Sequence, residues 1–279
     1  MSDVITGTPG GTSEKTMSEA HDNVSLGRHL AAWWQRQRAQ ASLPRTLLSL
    51  CKLFWEFGVD SLPERRRRRY GDAEYDWDYR VNTTSATIGW RDRFLGLLHS
   101  PYQPTEPALF HEILQTLFHD AGIDPREFVF LDLGSGKGRT LLMASDYPFR
   151  EIIGVELLPS LHRAAQENIA AYKSENQKCF ALQSLCADAS EYEFPSRPML
   201  LYLFNPLPEN ALARALRNLE VSLETQSGKC FLIYHNPLFE SLLGTQPWLQ
   251  KFSGTSQFAI YRVMPKPNPT TPHLSERRS

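Results

Sequence analysis

Residues Phe128 to Met143 read FVFLDLGSGKGRTLLM. An apolar run ends in Asp132, glycines follow at alternate positions (Gly134, Gly136 and Gly138), and an apolar segment of helical character comes next. This is a strand, a tight turn and a helix in succession. In an open α/β sheet such a turn lies beyond the carboxyl end of a strand, where nucleotide-like ligands bind. Glycine suits it because the backbone must reach φ > 0 and approach a ligand with no Cβ in the way. Spacing narrows the ligand. A dinucleotide fingerprint, G-x-G-x-x-G, needs its third glycine where Arg139 stands. A phosphate-binding G-x-x-x-x-G-K-[ST] loop fails twice, because Gly138 follows Lys137 and Leu131 precedes Gly136 by five residues.

The rest of the chain bounds the setting. Its 279 residues accommodate one large domain plus extensions. Hydrophobic residues make up 41%, enough for a core, and the net charge of −1 gives no general attraction to nucleic acid, so none is expected as a partner. Cys51, Cys179, Cys186 and Cys230 form no C-x-x-C pair, so neither zinc nor a disulfide framework is indicated. They read as buried thiols of a reducing compartment. The N-terminus is polar without an apolar signal segment, and no uncharged apolar run reaches bilayer length. A soluble cytoplasmic protein is the expectation, with no metal site.

Four segments follow from composition. Residues 1–24, rich in Ser, Thr, Gly and Glu, predict a disordered tail. Residues 25–70 predict a helical extension. Within it, Leu26, Leu30, Trp33 and Trp34 recur at helical spacing over Ser25 to Gln40, and Leu47, Leu48, Cys51, Phe54 and Trp55 over Pro44 to Phe57. Two such helices form a hairpin that caps the core or meets a partner. A membrane-surface role would require a basic polar face with little acid. Arg65 to Arg69 form a run of five arginines. It reads as a solvated linker or as an electrostatic handle for an acidic partner or phosphate backbone. Residues 71–265 predict a compact enzyme domain, and residues 266–279 a second disordered tail.

Inside that domain, Pro107 to Ala121 places Leu109, Phe110, Ile113, Leu114, Leu117 and Phe118 on one helical face. Strands are expected at Phe128–Leu133, Glu151–Val155, Phe180–Cys186, Met199–Phe204 and Cys230–Tyr234. Helices are expected from about Arg139, Pro159 and Glu209. Alternation of this kind predicts α/β architecture, a doubly wound and mostly parallel sheet. Trp248–Ser253 and Phe258–Met264 lie close enough to pair as a C-terminal antiparallel hairpin, which completes seven strands.

The D-x-G-x-G-x-G pattern at Asp132 to Gly138 resembles motif I of class I S-adenosylmethionine (SAM)-dependent methyltransferases. In that class the last strand of the closing hairpin inserts beside strand five. The resemblance implies SAM as cofactor and S-adenosylhomocysteine as product, and it gives several residues a part. The loop carrying Gly134, Ser135, Gly136 and Gly138 leads into a helix N-terminus, whose backbone N–H groups face the cofactor. Asp132 accepts from the cofactor ammonium; as a plain residue it would cap a turn. Glu156 closes the second strand and is placed to accept the ribose hydroxyls, as an acid does for dinucleotides. Leu157 and Leu158 supply an apolar wall for adenine. Asp188 and the Ala189 N–H follow strand three and are placed for the adenine edge, although Asp after a strand is also a common turn residue.

Asn205-Pro206 ends strand four in LLYLFNPLP. It resembles the [DN]-P-P-[YF] loop of amino-group methyltransferases, with Leu207 in place of the second Pro and Pro208 in place of the aromatic. In that loop the side chain and a backbone carbonyl orient an attacking nitrogen, which is most of what in-line methyl transfer needs. Tyr102, in SPYQPT, is a further catalytic candidate that covers cofactor or contacts substrate, and Thr105 is expected to cap the helix that follows. His235 ends strand five and reads as a base or as a structural residue.

DLGSGKGR, GVEL, DA and FNP in this order are also similar to a bacterial-type group of methyltransferase domains. There a Y-D-x-x-Y-x-V-x-T-like segment, here Tyr75 to Thr83, precedes a Y-x-P-T element. DLGSG with GVE is similar as well to seven-strand protein lysine methyltransferases, which implies a protein lysine as methyl acceptor. The expectation is methyl transfer to a nitrogen. A small-molecule N- or O-methyltransferase, with the N-terminal helices as lid, is one alternative. A catalytically silent SAM-binding scaffold is the other.

Overall fold

A computed structural model describes residues 26–60, 73–84, 104–204, 207–223 and 229–264. Both predicted tails, Arg65–Arg69, Tyr102, Asn205 and Pro206 lie outside the described residues.

The order begins with helices α1 (Leu26–Gln40), α2 (Leu43–Asp60), α3 (Ala73–Tyr79) and α4 (Pro107–Ala121). The α/β unit continues with β1 (Val129–Leu133), α5 (Arg139–Ala144), β2 (Glu151–Glu156), α6 (Pro159–Ala171), β3 (Leu182–Cys186), β4 (Met199–Phe204) and α7 (Glu209–Leu223). It closes with β5 (Cys230–His235), α8 (Glu240–Gly244), β6 (Leu249–Gly254) and β7 (Phe258–Val263). The seven strands lie in the order β3-β2-β1-β4-β5-β7-β6. β1 to β5 are parallel, and β7 is antiparallel to both β5 and β6. The expected sheet is therefore present, and its last strand is inserted beside β5 as expected for the class I methyltransferase fold.

Strand periodicity assigns the two faces. Val129, Leu131 and Leu133 join Leu201, Leu203, Leu212, Leu216 and Leu219 in one core. Phe130 joins Phe110, Ile113, Leu114, Leu117, Leu141, Tyr202 and Ile233 in the other. α4 shows why these elements form where they do. Pro107 starts it, Glu106 accepts from Leu109 N at 3.2 Å, and Gly122 ends it at φ 59. Its Phe110, Ile113, Leu114 and Leu117 are fully buried, each stabilising by about 1.5–3 kcal/mol.

Thr105 does not cap α4; Glu106 does. The Thr105 hydroxyl instead faces Tyr202 OH at 3.4 Å, and its carbonyl accepts from Arg139 at 3.4 Å. The cysteines are not all buried either: Cys51 and Cys186 are exposed, while Cys179 and Cys230 are enclosed. No helix among the described residues is long and apolar enough to cross a membrane.

Candidate active site

Gly134, Gly136 and Gly138 have φ of 81°, 55° and 81°. The alternating glycines are thus three left-handed residues, a conformation costing any L side chain about 1–2 kcal/mol. The loop is tied to the end of β2. Gly134 N and Ser135 N both donate to Val155 O, at 2.8 and 3.1 Å, and Gly138 N donates to Ser135 O at 2.8 Å. Gly136 N donates to Glu156 Oε2 at 2.8 Å. These four amides are satisfied within the protein. What the glycines offer instead is close approach without a Cβ.

Glu156 is buried, and its second oxygen accepts from Leu158 N at 2.8 Å. One carboxylate therefore joins the glycine turn to the start of α6. Asp132, 2% exposed, accepts from the Thr140 hydroxyl. Burial raises its pKa to about 7; the Thr140 bond opposes this, and the Glu156 charge adds to it. Ser135 Oγ is buried without a hydrogen-bond partner, and a Cβ on Gly154 would lie 2.5 Å from it. Gly154 pairs with Asp132 across β1 and β2, so this bare strand position makes room for the turn.

Asp188 is half-buried and Ala189 is buried. Asp188 Oδ1 accepts from Ser190 N at 2.8 Å, closing the turn after β3. Leu157 is half-buried, and Leu158 is buried and anchors Glu156. Asp132, Glu156 and Asp188 thus stand at or just beyond the carboxyl ends of β1, β2 and β3, three neighbouring strands.

Lys137 and Arg139, given no part in the sequence reading, hold the segment from Tyr75 to Thr84. Lys137 Nζ donates to Asn82 Oδ1 at 3.0 Å and to Thr84 O at 2.8 Å, and burial lowers its pKa to about 8. Arg139, fully enclosed, donates to Thr83 Oγ1 at 2.6 Å and meets Asp76 Oδ1 at 3.3 Å. Its guanidinium lies 4.7 Å over the Tyr75 ring. Asp76 in turn accepts from Thr83 N at 2.7 Å, from Thr84 N at 2.9 Å and from the Thr83 hydroxyl. Asn168 of α6 closes the network, donating to Asn82 O and Lys137 O and accepting from Asn82 N. The Y-D-x-x-Y-x-V-x-T segment is therefore a strap fastened to the glycine turn.

Within the carboxyl-terminal halves of β4 and β5, Tyr202 OH meets His235 Nδ1 at 2.7 Å. Phe204 stacks on the His235 ring, centroids 4.0 Å apart. Burial lowers the His235 pKa to about 4 and raises that of Tyr202, so both are uncharged near neutrality. His235 is a packed, hydrogen-bonded residue rather than a poised base. Among the described residues no group of His, Cys, Asp or Glu side chains is placed to hold a metal.

No protein-family model matches the chain, and no curated protein matches it. Among solved structures, it is similar to an RNA methyltransferase from Salinibacter ruber in complex with S-adenosyl-L-homocysteine. The identity is 20%, 60% of this chain and 97% of that one are covered, and the TM-score is 0.39. A TehB-like SAM-dependent methyltransferase from Corynebacterium glutamicum is 18% identical, covers 58% of this chain and 100% of its own, and has a TM-score of 0.37. A dimethyladenosine transferase from Plasmodium falciparum is 13% identical over 56% of this chain and 62% of its own, with a TM-score of 0.40.

Proposed function

We propose that this chain is a SAM-dependent methyltransferase that acts on a nitrogen nucleophile. One observation carries the reading: a turn of three left-handed glycines, tied through Gly136 N to Glu156, lies next to the buried Asp132 at the carboxyl ends of adjacent strands. That set fits the cofactor. The glycines leave space for its amino-acid end, and Asp132 supplies an acceptor for its ammonium. Glu156 stands at the end of β2 where a ribose diol would lie, Asp188 follows β3 on the side of an adenine edge, and Ser135 Oγ lacks a partner. Bound there, SAM supplies an electrophilic methyl group and leaves as S-adenosylhomocysteine.

The acceptor end is read from sequence and from its surroundings. Asn205 and Pro206 follow β4 directly and orient the nucleophile. Tyr102, in SPYQPT, keeps the part its sequence position suggests, covering cofactor or contacting substrate. Tyr202 and His235 are uncharged near neutrality, which suits a nucleophile that attacks as a neutral amine. A lysine side chain is cationic near pH 7 and must lose its proton first, which an apolar approach past Phe204 favours by desolvation.

The test is transfer of a labelled methyl group from SAM into a host-cell extract separated into protein, nucleic acid and small molecules, with Asn205→Ala as control. Label in a protein band that weakens with Asn205→Ala supports a protein nitrogen. Label only in small molecules moves the assignment to a metabolite enzyme. Label in nucleic acid overturns the lysine reading.

A further inference from the structure

Three turns flank the candidate cofactor site, and one of them has no helix of its own. The glycine turn runs into α5, and the turn after β2 runs into α6. The chain from β3 to β4, residues 187–198, carries no helix among the described residues. Ala189 and Phe194 attach it to the core that α7 shares. A loop without regular hydrogen bonding opens locally more readily than a helix does. The aim of Asp188, which sits on this loop, then depends on bonds from neighbouring elements.

α7 supplies those bonds. Ala211, Leu212, Ala215, Leu216 and Leu219 form its buried stripe. Arg214 and Asn218, four residues apart, share a face at one border of that stripe, beside the small Ala211 and Ala215. Asn218 Nδ2 donates to Ser190 O at 2.8 Å, and Arg214 donates to Ser190 Oγ at 2.9 Å. Ser190 is 1% exposed. Its own N–H donates to Asp188 Oδ1 at 2.8 Å, and Glu191 N donates to Asp188 O at 3.0 Å. α7 therefore grips the residue that orients the Asp188 carboxylate.

We propose that Asn218 and Arg214 are positioning residues for adenine recognition: by holding Ser190 they aim Asp188 at the 6-amino group of the cofactor's adenine. The inference rests on the methyltransferase reading above and on the place of Asp188 in it. A carboxylate accepting from an amino group makes a charge-assisted bond. Such a bond discriminates only while its geometry is held, and α7 holds it from outside the site.

The experiment measures binding of S-adenosyl-L-homocysteine and of S-inosyl-L-homocysteine to the full chain by equilibrium dialysis. The inosine analogue carries an oxygen where the adenine has its 6-amino group, so it offers Asp188 an acceptor instead of a donor. The parent should prefer the adenosine compound by about tenfold or more. Asn218→Ala and Arg214→Ala should each lose most of that preference by weakening the adenosine compound alone, with the inosine analogue unchanged. Arg214→Lys, which still donates, should keep more of it than Arg214→Ala. In a Ser190→Ala background, Arg214→Ala should cost nothing further, because its acceptor is already gone. Both α7 side chains lie outside the buried stripe, and far-ultraviolet circular dichroism reports whether each variant is folded. Arg214 is exposed, so its variants carry the test should Asn218→Ala not fold. Equal weakening of both ligands, or a preference intact in the folded variants, would overturn the positioning role and leave the cofactor reading standing. A parent that binds both compounds equally would detach Asp188 from adenine and overturn the proposal. A folded parent that binds neither would overturn the proposal and the methyltransferase reading together.

Discussion

Arg139 and Asp76, 63 residues apart in sequence, meet at 3.3 Å in a nearly solvent-free contact, their side chains 2% and 13% exposed. Arg139 sits on the first turn after the glycine loop, and Asp76 anchors the Tyr75–Thr84 strap. Removing one partner of a buried ion pair costs about 3–5 kcal/mol, because the other charge is left uncompensated. Arg139→Ala should fall at the lower end, since Asp76 retains its bonds from Thr83 and Thr84. Urea denaturation measures this. A loss below about 1 kcal/mol would mean that the contact is not closed in solution.

Glu156 serves the loop and, on this account, the ribose. Glu156→Ala should weaken SAM binding by roughly 1.5–3 kcal/mol through lost charge-assisted hydrogen bonds. Glu156→Gln should also lose affinity, because its NH2 must face either Gly136 N or Leu158 N, both donors. Equilibrium dialysis against labelled SAM reads both variants. Unchanged affinity in each would remove Glu156 from the cofactor site.

Much of this was legible in the sequence, for identifiable reasons. β4 and α4 match their predicted bounds because their apolar patterns are long and end at clear breakers. The glycine spacing foretold the left-handed residues, since few other local sequences tolerate them. Asp132 and Glu156 were readable as strand-end acids. The roles of Lys137 and Arg139 were not, because their partners lie far away in sequence and periodicity carries no long-range pairing. The same holds for Thr105, where a cap is a local inference but the bond to Tyr202 depends on how α4 meets the sheet. That Glu156 would satisfy Gly136 N was also invisible, since it requires the β1–β2 register.

Asp132 gives the binding reaction a pH dependence. Its folded pKa of about 7 lies above the ordinary 3.8. The folded state therefore holds this proton more tightly than the unfolded chain does. Its contribution to stability is complete below about 3.8 and is lost as pH rises through about 7. Accepting from an ammonium requires the ionised form. SAM affinity should rise as pH increases to about 7 and then level off, by up to about tenfold per unit for one coupled proton. Calorimetry in buffers of different ionisation enthalpy should show proton release below pH 7, and Asp132→Asn should abolish it. A flat profile would separate Asp132 from the cofactor ammonium.

Gly154 tests the packing beneath the turn. An added Cβ would lie 2.5 Å from Ser135 Oγ, 2.8 Å from Ser135 Cβ and 2.7 Å from Leu141 Cδ1. Overpacking of this kind typically costs about 1–3 kcal/mol. Gly154→Ala should lower stability by that amount in thermal or urea unfolding. It should also weaken SAM binding, although it removes no group that touches the cofactor. A variant as stable and as tight as the parent would show that the turn is not seated on β2 as described.

The proposed activity stands or falls with the binding of SAM by the turn at Gly134–Gly138 and the acids beside it. Isothermal titration of SAM into the full chain, with Asp132→Asn and Glu156→Ala run in parallel, tests it most directly. The account predicts saturable binding of one SAM per chain, weakened in both variants. No saturable heat with the folded parent across several temperatures, or equal binding by all three proteins, would contradict it.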